Sequence, residues 1–227
     1  MMISPEGYYE EYLKGKTKEQ IMTVMRGLKQ EIGHLKNTME GPDYSVEPIM
    51  HPSEDTRLHW TREYLERAKQ AYAEAGGTYT LSKSEERAAD FDANMDAICK
   101  ITFSIGGFFG GYRSYVVELS DELKAYTKLW DDEEPLLLLD DDNGEPFTKG
   151  TFIAAIIDLH IGEWHRRYST KRFGYTVCDG TQWELEIEYN NGHKPVMFDG
   201  DNSYPYNFDK FQMLFGIDET EEDDEEE

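Results

Sequence analysis

The chain has 227 residues, of which 47 are acidic and 23 basic, for a formal net charge of −24. That balance argues against direct binding to nucleic acid, whose phosphates need Lys and Arg, and against attraction to an anionic membrane surface. A basic protein is the natural complement; a merely solubilising surface is the plainer alternative.

Hydrophobic residues make up 38% and aromatic residues 13% of the chain, enough to fill one large or two small domains. Cys99 and Cys178 are too few for a disulfide framework and read as small apolar residues of strands. Residues 1–15 are acidic and tyrosine-rich, unlike a signal peptide. No apolar run approaches the roughly 18 residues of a membrane helix. The expectation is a soluble cytoplasmic protein.

In chain order, Ser4 and Pro5 open a short helix that stops at Gly15. Thr17 and Gln20 form a capping box for the next helix. Ile21, Val24, Met25, Leu28, Ile32 and Leu35 are its apolar stripe. Pro42, Pro48 and Pro52 mark residues 41–53 as an extended connector. Ser53 then starts a second long helix with Leu58, Tyr64, Leu65, Ala68 and Tyr72 inward, closed by Gly76 and Gly77. The two long helices are expected to form an antiparallel hairpin over residues 1–80. A third helix begins at Ser82 or Ser84 and reaches about Phe91.

Residues 98–105 read as a strand. A glycine-rich turn around Phe108 and Phe109 follows, then a second strand over 112–119 and a third over 123–130. Without a Lys or a following helix, the glycines fit a bulged hairpin rather than a phosphate loop. Residues 136–139 read as a short buried segment. The most apolar helix is expected over 148–168, packed on the sheet through Phe152, Ile153, Ile156, Ile157, Leu159, Ile161 and Trp164.

Residues 172–215 organise the rest. Trp183, Leu185, Ile187 and Tyr189 alternate with Glu184, Glu186 and Glu188, the period-2 signature of a strand with one buried face. A strand over 173–178 is expected before it. Asn190, Asn191 and Gly192 give a hairpin turn into a strand at 196–198. This second meander mirrors the first in pattern, a weak internal repeat. A last amphipathic helix spans 206–215. Residues 218–227, acidic but for Thr220, read as a disordered tail. The domain reading is 1–80 helical, 81–217 an α+β sheet domain, and 218–227 the tail.

Candidate chemistry is sparse. His160 and His165, with Asp158 and Glu163, miss both zinc-helix spacings and read as structural. Asp140, Asp142 and Gly144 fail the EF-hand count, leaving a solvated turn or a weak calcium loop. Paired carboxylates for hydrolysis are uninformative among so many acids, and no nucleophile grouping stands out. No catalytic residue, metal site or cofactor is assigned. The acids are the better lead. Glu184, Glu186 and Glu188 repeat about every 7 Å along one strand face, close to the spacing of phosphates in an extended nucleic-acid strand. With Asp131, Asp132, Glu133 and Glu134, and with Asp140, Asp141 and Asp142, they are the candidate partner-binding residues.

The run Gly180-Thr181-Gln182-Trp183-Glu184-Leu185-Glu186-Ile187-Glu188-Tyr189, followed by Gly200-Asp201-Asn202-Ser203-Tyr204-Pro205-Tyr206-Asn207-Phe208-Asp209, resembles a C-terminal module recurrent in uncharacterised bacterial and mobile-element proteins. It implies no activity and no site residues. The acidity is similar, in composition, to that of DNA-mimicking inhibitors of restriction and CRISPR nucleases. The expectation is an α+β protein: an N-terminal helical hairpin, then antiparallel meanders packed on a central and a C-terminal helix. Its expected function is non-enzymatic binding and inhibition of a basic, nucleic-acid-binding protein such as a nuclease. A generic interaction or immunity module is the alternative, and a carboxylate hydrolase the third reading.

Overall fold

The computed structural model describes residues 2–44, 52–107, 110–130, 132–140, 144–177 and 179–217. It divides into two compact units, Met1–Leu81 and Ser82–Glu227. Asp131, Asp141, Asp142, Cys178 and the acidic tail lie outside the described residues, as do Phe108, Phe109 and most of the connector.

In the first unit, Ser4 caps α1 (Pro5–Tyr8) by accepting the Gly7 N–H at 3.1 Å. The helix widens into a π turn over Tyr9–Leu13 and ends at Gly15, whose φ is +73°. Helix α2 (Lys18–Met39) opens on the capping box: Thr17 Oγ1 accepts the Gln20 N–H, and Gln20 Oε1 accepts the Thr17 N–H at 2.9 Å. Helix α3 (Glu54–Glu74), capped by Ser53, packs along α2. Ile21 and Met25, early in α2, cluster with Leu65, Ala68 and Ala71, late in α3. Glu31, late in α2, pairs with Arg57, early in α3.

The second unit is a seven-stranded sheet with helices packed on one face. Helix α4 (Lys83–Ala93) and a short 3₁₀ turn lead into β1 (Ile98–Gly107). Strands β2 (Gly111–Leu119), β3 (Leu123–Leu129) and β4 (Asp132–Pro135) follow as a meander. After α5 (Lys149–Asp158) come β5 (Arg167–Ser169), β6 (Thr181–Tyr189), β7 (Val196–Asp201) and α6 (Phe208–Met213). The order is β4-β3-β2-β1-β6-β7-β5, antiparallel except for β5 against β7. The α+β class expected from the sequence is the class observed.

The core lies between the inner sheet face and α5, α6 and the segment around Trp164. Phe103, Leu185, Ile187, Phe152, Phe211 and Phe215 are fully enclosed there. Trp183 is 2% exposed, and its indole N–H donates to the Ser203 carbonyl at 3.0 Å. Gly200 lies under that indole, where a Cβ would collide with Trp183 Nε1.

Several expectations are corrected. The helix expected over 148–168 ends at Asp158, because His160 turns left-handed (φ +50°) and the Leu159 carbonyl is taken by Asn207 Nδ2 at 2.8 Å. Trp164 then leaves the helical path to donate its indole N–H to Asn207 Oδ1 at 3.0 Å. Ile157, expected inward, is exposed. The strand expected over 173–178 is instead a 3₁₀ turn, Thr170–Phe173, and irregular chain from Tyr175 to Val177, because β6 takes β1 as its ladder partner. The internal repeat fails with it. Of the leucines at 136–139 only Leu138 is buried; Leu137 is 69% exposed. The β1–β2 hairpin keeps regular register to Gly107 opposite Gly111, and the irregularity lies between Ile98 and Lys100 of β1 where it meets β6. Strand β3 stops at Leu129, and Trp130, at φ +58°, stands 80% exposed.

A candidate protein-binding face on the sheet

Strand alternation puts every second residue of β6 on the face away from the helices. Glu184 is exposed there, and Glu186 and Glu188 are half-buried, while Trp183, Leu185 and Ile187 point into the core. A one-residue slip would bury three carboxylates, and this fixes the register.

Register identifies the neighbours of each glutamate. Glu184 lies between Ser104 of β1 and Asp199 of β7. Glu186 lies between Thr102 and Met197. Glu188 lies beside Lys100, whose Nζ is 3.0 Å from Glu188 Oε1. That hydrogen bond raises the Lys100 pKa against the opposing effect of burial. Glu118 of β2 and Lys124 of β3 continue the last row, so it alternates in sign. The three glutamates are therefore not equivalent. Glu188 is neutralised locally, whereas neither Glu184 nor Glu186 has an ion-pair partner among the described residues.

The other candidate acids among the described residues, Asp132, Glu133, Glu134 and Asp140, are not brought to this place. Asp132, Glu133 and Glu134 form β4, the far edge of the sheet, and all three are exposed. Glu133 shares the face of Glu184 but is four strands away, about 19 Å at the usual strand spacing. It pairs with Lys128 at 3.4 Å. Asp132 and Glu134 alternate onto the opposite face. A short acidic strand ending in Pro135 has a sufficient structural role, since charge and proline on an edge discourage pairing with another sheet. Asp140 sits in the loop closed by the Leu139–Pro146 bridge; its N–H donates to the Glu145 carbonyl and its carbonyl accepts from Gly144, both at 2.7 Å.

In place of those acids the fold supplies Asp199 and Asp201, on β7 opposite Glu184 and Gln182. Period-2 alternation after Val196 and Phe198 was a visible signal for them. The hairpin turn predicted their strand beside β6, but not the register that sets Asp199 opposite Glu184, because that depends on the length of the 190–195 turn. Around them the sheet dips into a hollow of about 350 Å³ lined by Ser104, Tyr112, Gln182, Glu184, Asp199 and Asp201, with Arg167 at its side. Tyr112 Oη donates to Gln182 Oε1 at 2.6 Å, and the Ser104 and Ser114 hydroxyls are 2.8 Å apart. Arg167 Nε is 3.4 Å from Asp199 Oδ1, with both side chains largely in solvent.

Among the described residues, no group of three or more His, Cys, Asp or Glu side chains is placed to hold a metal ion. His160 and His165 are five residues apart and leave the helical path together, and the His165 ring lies against Tyr168. No described helix is long and apolar enough to cross a membrane. No family model, no curated protein and no solved structure matches the chain.

Proposed function

We propose that the chain is a non-enzymatic binding protein that engages a basic, nucleic-acid-binding protein, of the nuclease type, and inhibits it by occupying its phosphate-binding surface. The observation that carries this reading is the cluster of Glu184, Glu186, Asp199 and Asp201 on one open sheet face, in a chain of net charge −24. Adjacent strands place carboxylates about 5 Å apart across the ladder and about 7 Å apart along it, a two-dimensional array on the scale of a phosphate backbone. A general protein-interaction module without mimicry is favoured instead by one specific feature: Lys100, Lys124 and Lys128 interrupt the acids on the β1–β3 half of that face.

Cleavage by candidate CRISPR and restriction nucleases, measured with increasing amounts of the chain at two salt concentrations, tests the choice. Inhibition should weaken steeply with salt and be relieved by competing duplex. Changing Glu184, Glu186 and Asp199 together to Lys should abolish it. Changing three acids of the 221–227 tail to Lys should do much less. Equal effects from the two sets would reduce the interaction to nonspecific charge. No inhibition of any nuclease tried would leave the plain interaction module.

A further inference from the structure

We propose that the hollow between β1, β6 and β7 receives an arginine side chain of the basic partner, gripped between Glu184 and Asp199. This rests on the binding reading above and gives it a specific anchor.

Glu184 and Asp199 are direct cross-strand partners, so their side chains rise side by side from one face. Two carboxylates so placed match the planar fork of a guanidinium, which offers five donors in fixed directions. A lysine ammonium is a point charge and cannot span both in one plane. The remaining lining extends the same preference. Gln182, Asp201 and Ser104 add acceptors, and the only cation at the hollow among the described residues is Arg167.

Arg167 is also an internal precedent. The chain's own guanidinium already reaches Asp199, in a contact 79% exposed on the arginine side. A pair so exposed is weak and readily exchanged. Tyr112 supplies the flat wall: the residue is 47% exposed, and its hydroxyl is tethered to Gln182. An aromatic ring held in this way can stack on a guanidinium plane. The volume, about 350 Å³, suits a single side chain, at the small end of ligand pockets. Anions are repelled by the three carboxylates, and a neutral sugar would leave those charges uncompensated.

The test uses the full chain and two capped nine-residue peptides, one containing arginines and its twin with lysine at the same positions. The arginine peptide should bind roughly tenfold more tightly at moderate salt. Backbone amide resonances of Gln182, Glu184 and Asp199 should move most. The double variant Glu184→Gln, Asp199→Asn should melt as the parent does and lose the preference. Arg167→Ala should tighten arginine-peptide binding by freeing Asp199. Equal affinity for the two peptides, a preference that survives the double variant, or resonance changes centred elsewhere would overturn the proposal. So would an uncharged oligosaccharide that binds at the same amides. No nuclease enters this experiment. A chain that prefers the arginine peptide yet inhibits no nuclease retains the anchor and discards the inhibitor reading. One that inhibits a nuclease but binds both peptides alike does the reverse.

Discussion

The two units of this chain treat charge differently. Residues 1–81 hold 13 Asp and Glu against 10 Lys and Arg, while residues 82–227 hold 34 against 13, together the chain's 47 and 23. In the helical unit several acids meet cations. Arg67, with only 11% of its side chain exposed, lies over the Tyr9 ring at 3.9 Å, between Glu6 at 3.0 Å and Glu74 at 3.7 Å. Arg57 takes Glu31, Lys69 takes Glu66 and Lys14 takes Glu10. In the sheet unit Glu188, Glu133 and Asp199 are paired, but Glu184 and Glu186 on the outer sheet face have no ion-pair partner among the described residues. The sheet unit thus carries −21 of the net charge of −24 and the helical unit −3, and a search for a basic partner belongs with the former.

The largest test of that contrast is Trp183→Ala. The ring packs against Phe208, Tyr168 and Trp164, with centroids 4.8, 5.8 and 6.2 Å away. Its loss should cost about 3–5 kcal/mol. Hydrogen exchange should show the loss of protection confined to the sheet unit, with α2 and α3 unchanged. Uniform loss through both units would break the comparison.

Gly200→Ala comes next, at about 1–3 kcal/mol, because the new methyl displaces the Trp183 indole. Denaturant midpoints with an unchanged slope would check it. If the variant is neutral, the close approach of β7 to Trp183 is not a constraint.

In the helical unit, Tyr64 Oη donates to the Ile3 carbonyl at 2.7 Å and accepts the Ile3 N–H at 3.2 Å. Tyr64→Phe should cost about 1–2 kcal/mol and speed amide exchange in residues 3–13. Unaltered exchange there would mean that the N-terminal helix is held by its other contacts, Tyr8 on Tyr64 at 4.2 Å and Arg67 against Tyr9 and Glu6.

The smallest expected effect is one of pH. His193 Nε2 lies 2.9 Å from Asp90 Oδ2 and Nδ1 2.8 Å from the Lys194 carbonyl, joining the β6–β7 turn to α4. The Asp90 hydrogen bond raises the imidazole pKa, with the Lys194 contact adding to it and burial opposing. A raised histidine pKa gives stability that is complete below the unfolded value of about 6.5 and is lost as pH rises through the folded value. Asp90→Asn should therefore lower the melting temperature in acid and change it little at pH 9. A difference independent of pH would remove the ionic part of this contact.

Much was legible in the sequence wherever the cause is local. The Thr17–Gln20 box, the Ser53 cap and the alternation from Trp183 to Tyr189 all appear where their spacing puts them, and of the two starts offered for α4, Ser82 and Ser84, the first is the cap. Each depends on residues within a few positions of one another. Burial of Trp183 and the outward turn of Glu184 follow from period alone.

Only the tertiary structure decided the rest, because the deciding partners are far apart in the chain. Asn207 ends α5 by capturing the Leu159 carbonyl from 48 residues away. Strand β1 takes the edge of β6 that a strand at 173–178 would have filled. The candidate site changed for the same reason. Sequence periodicity put Glu184, Glu186 and Glu188 on one face and the hairpin turn placed the 196–198 strand beside them, but neither gave the β7 register nor β1 as the other neighbour. The fold set Lys100 against Glu188 and Asp199 against Glu184, cancelling one end of the acidic ladder and widening the other.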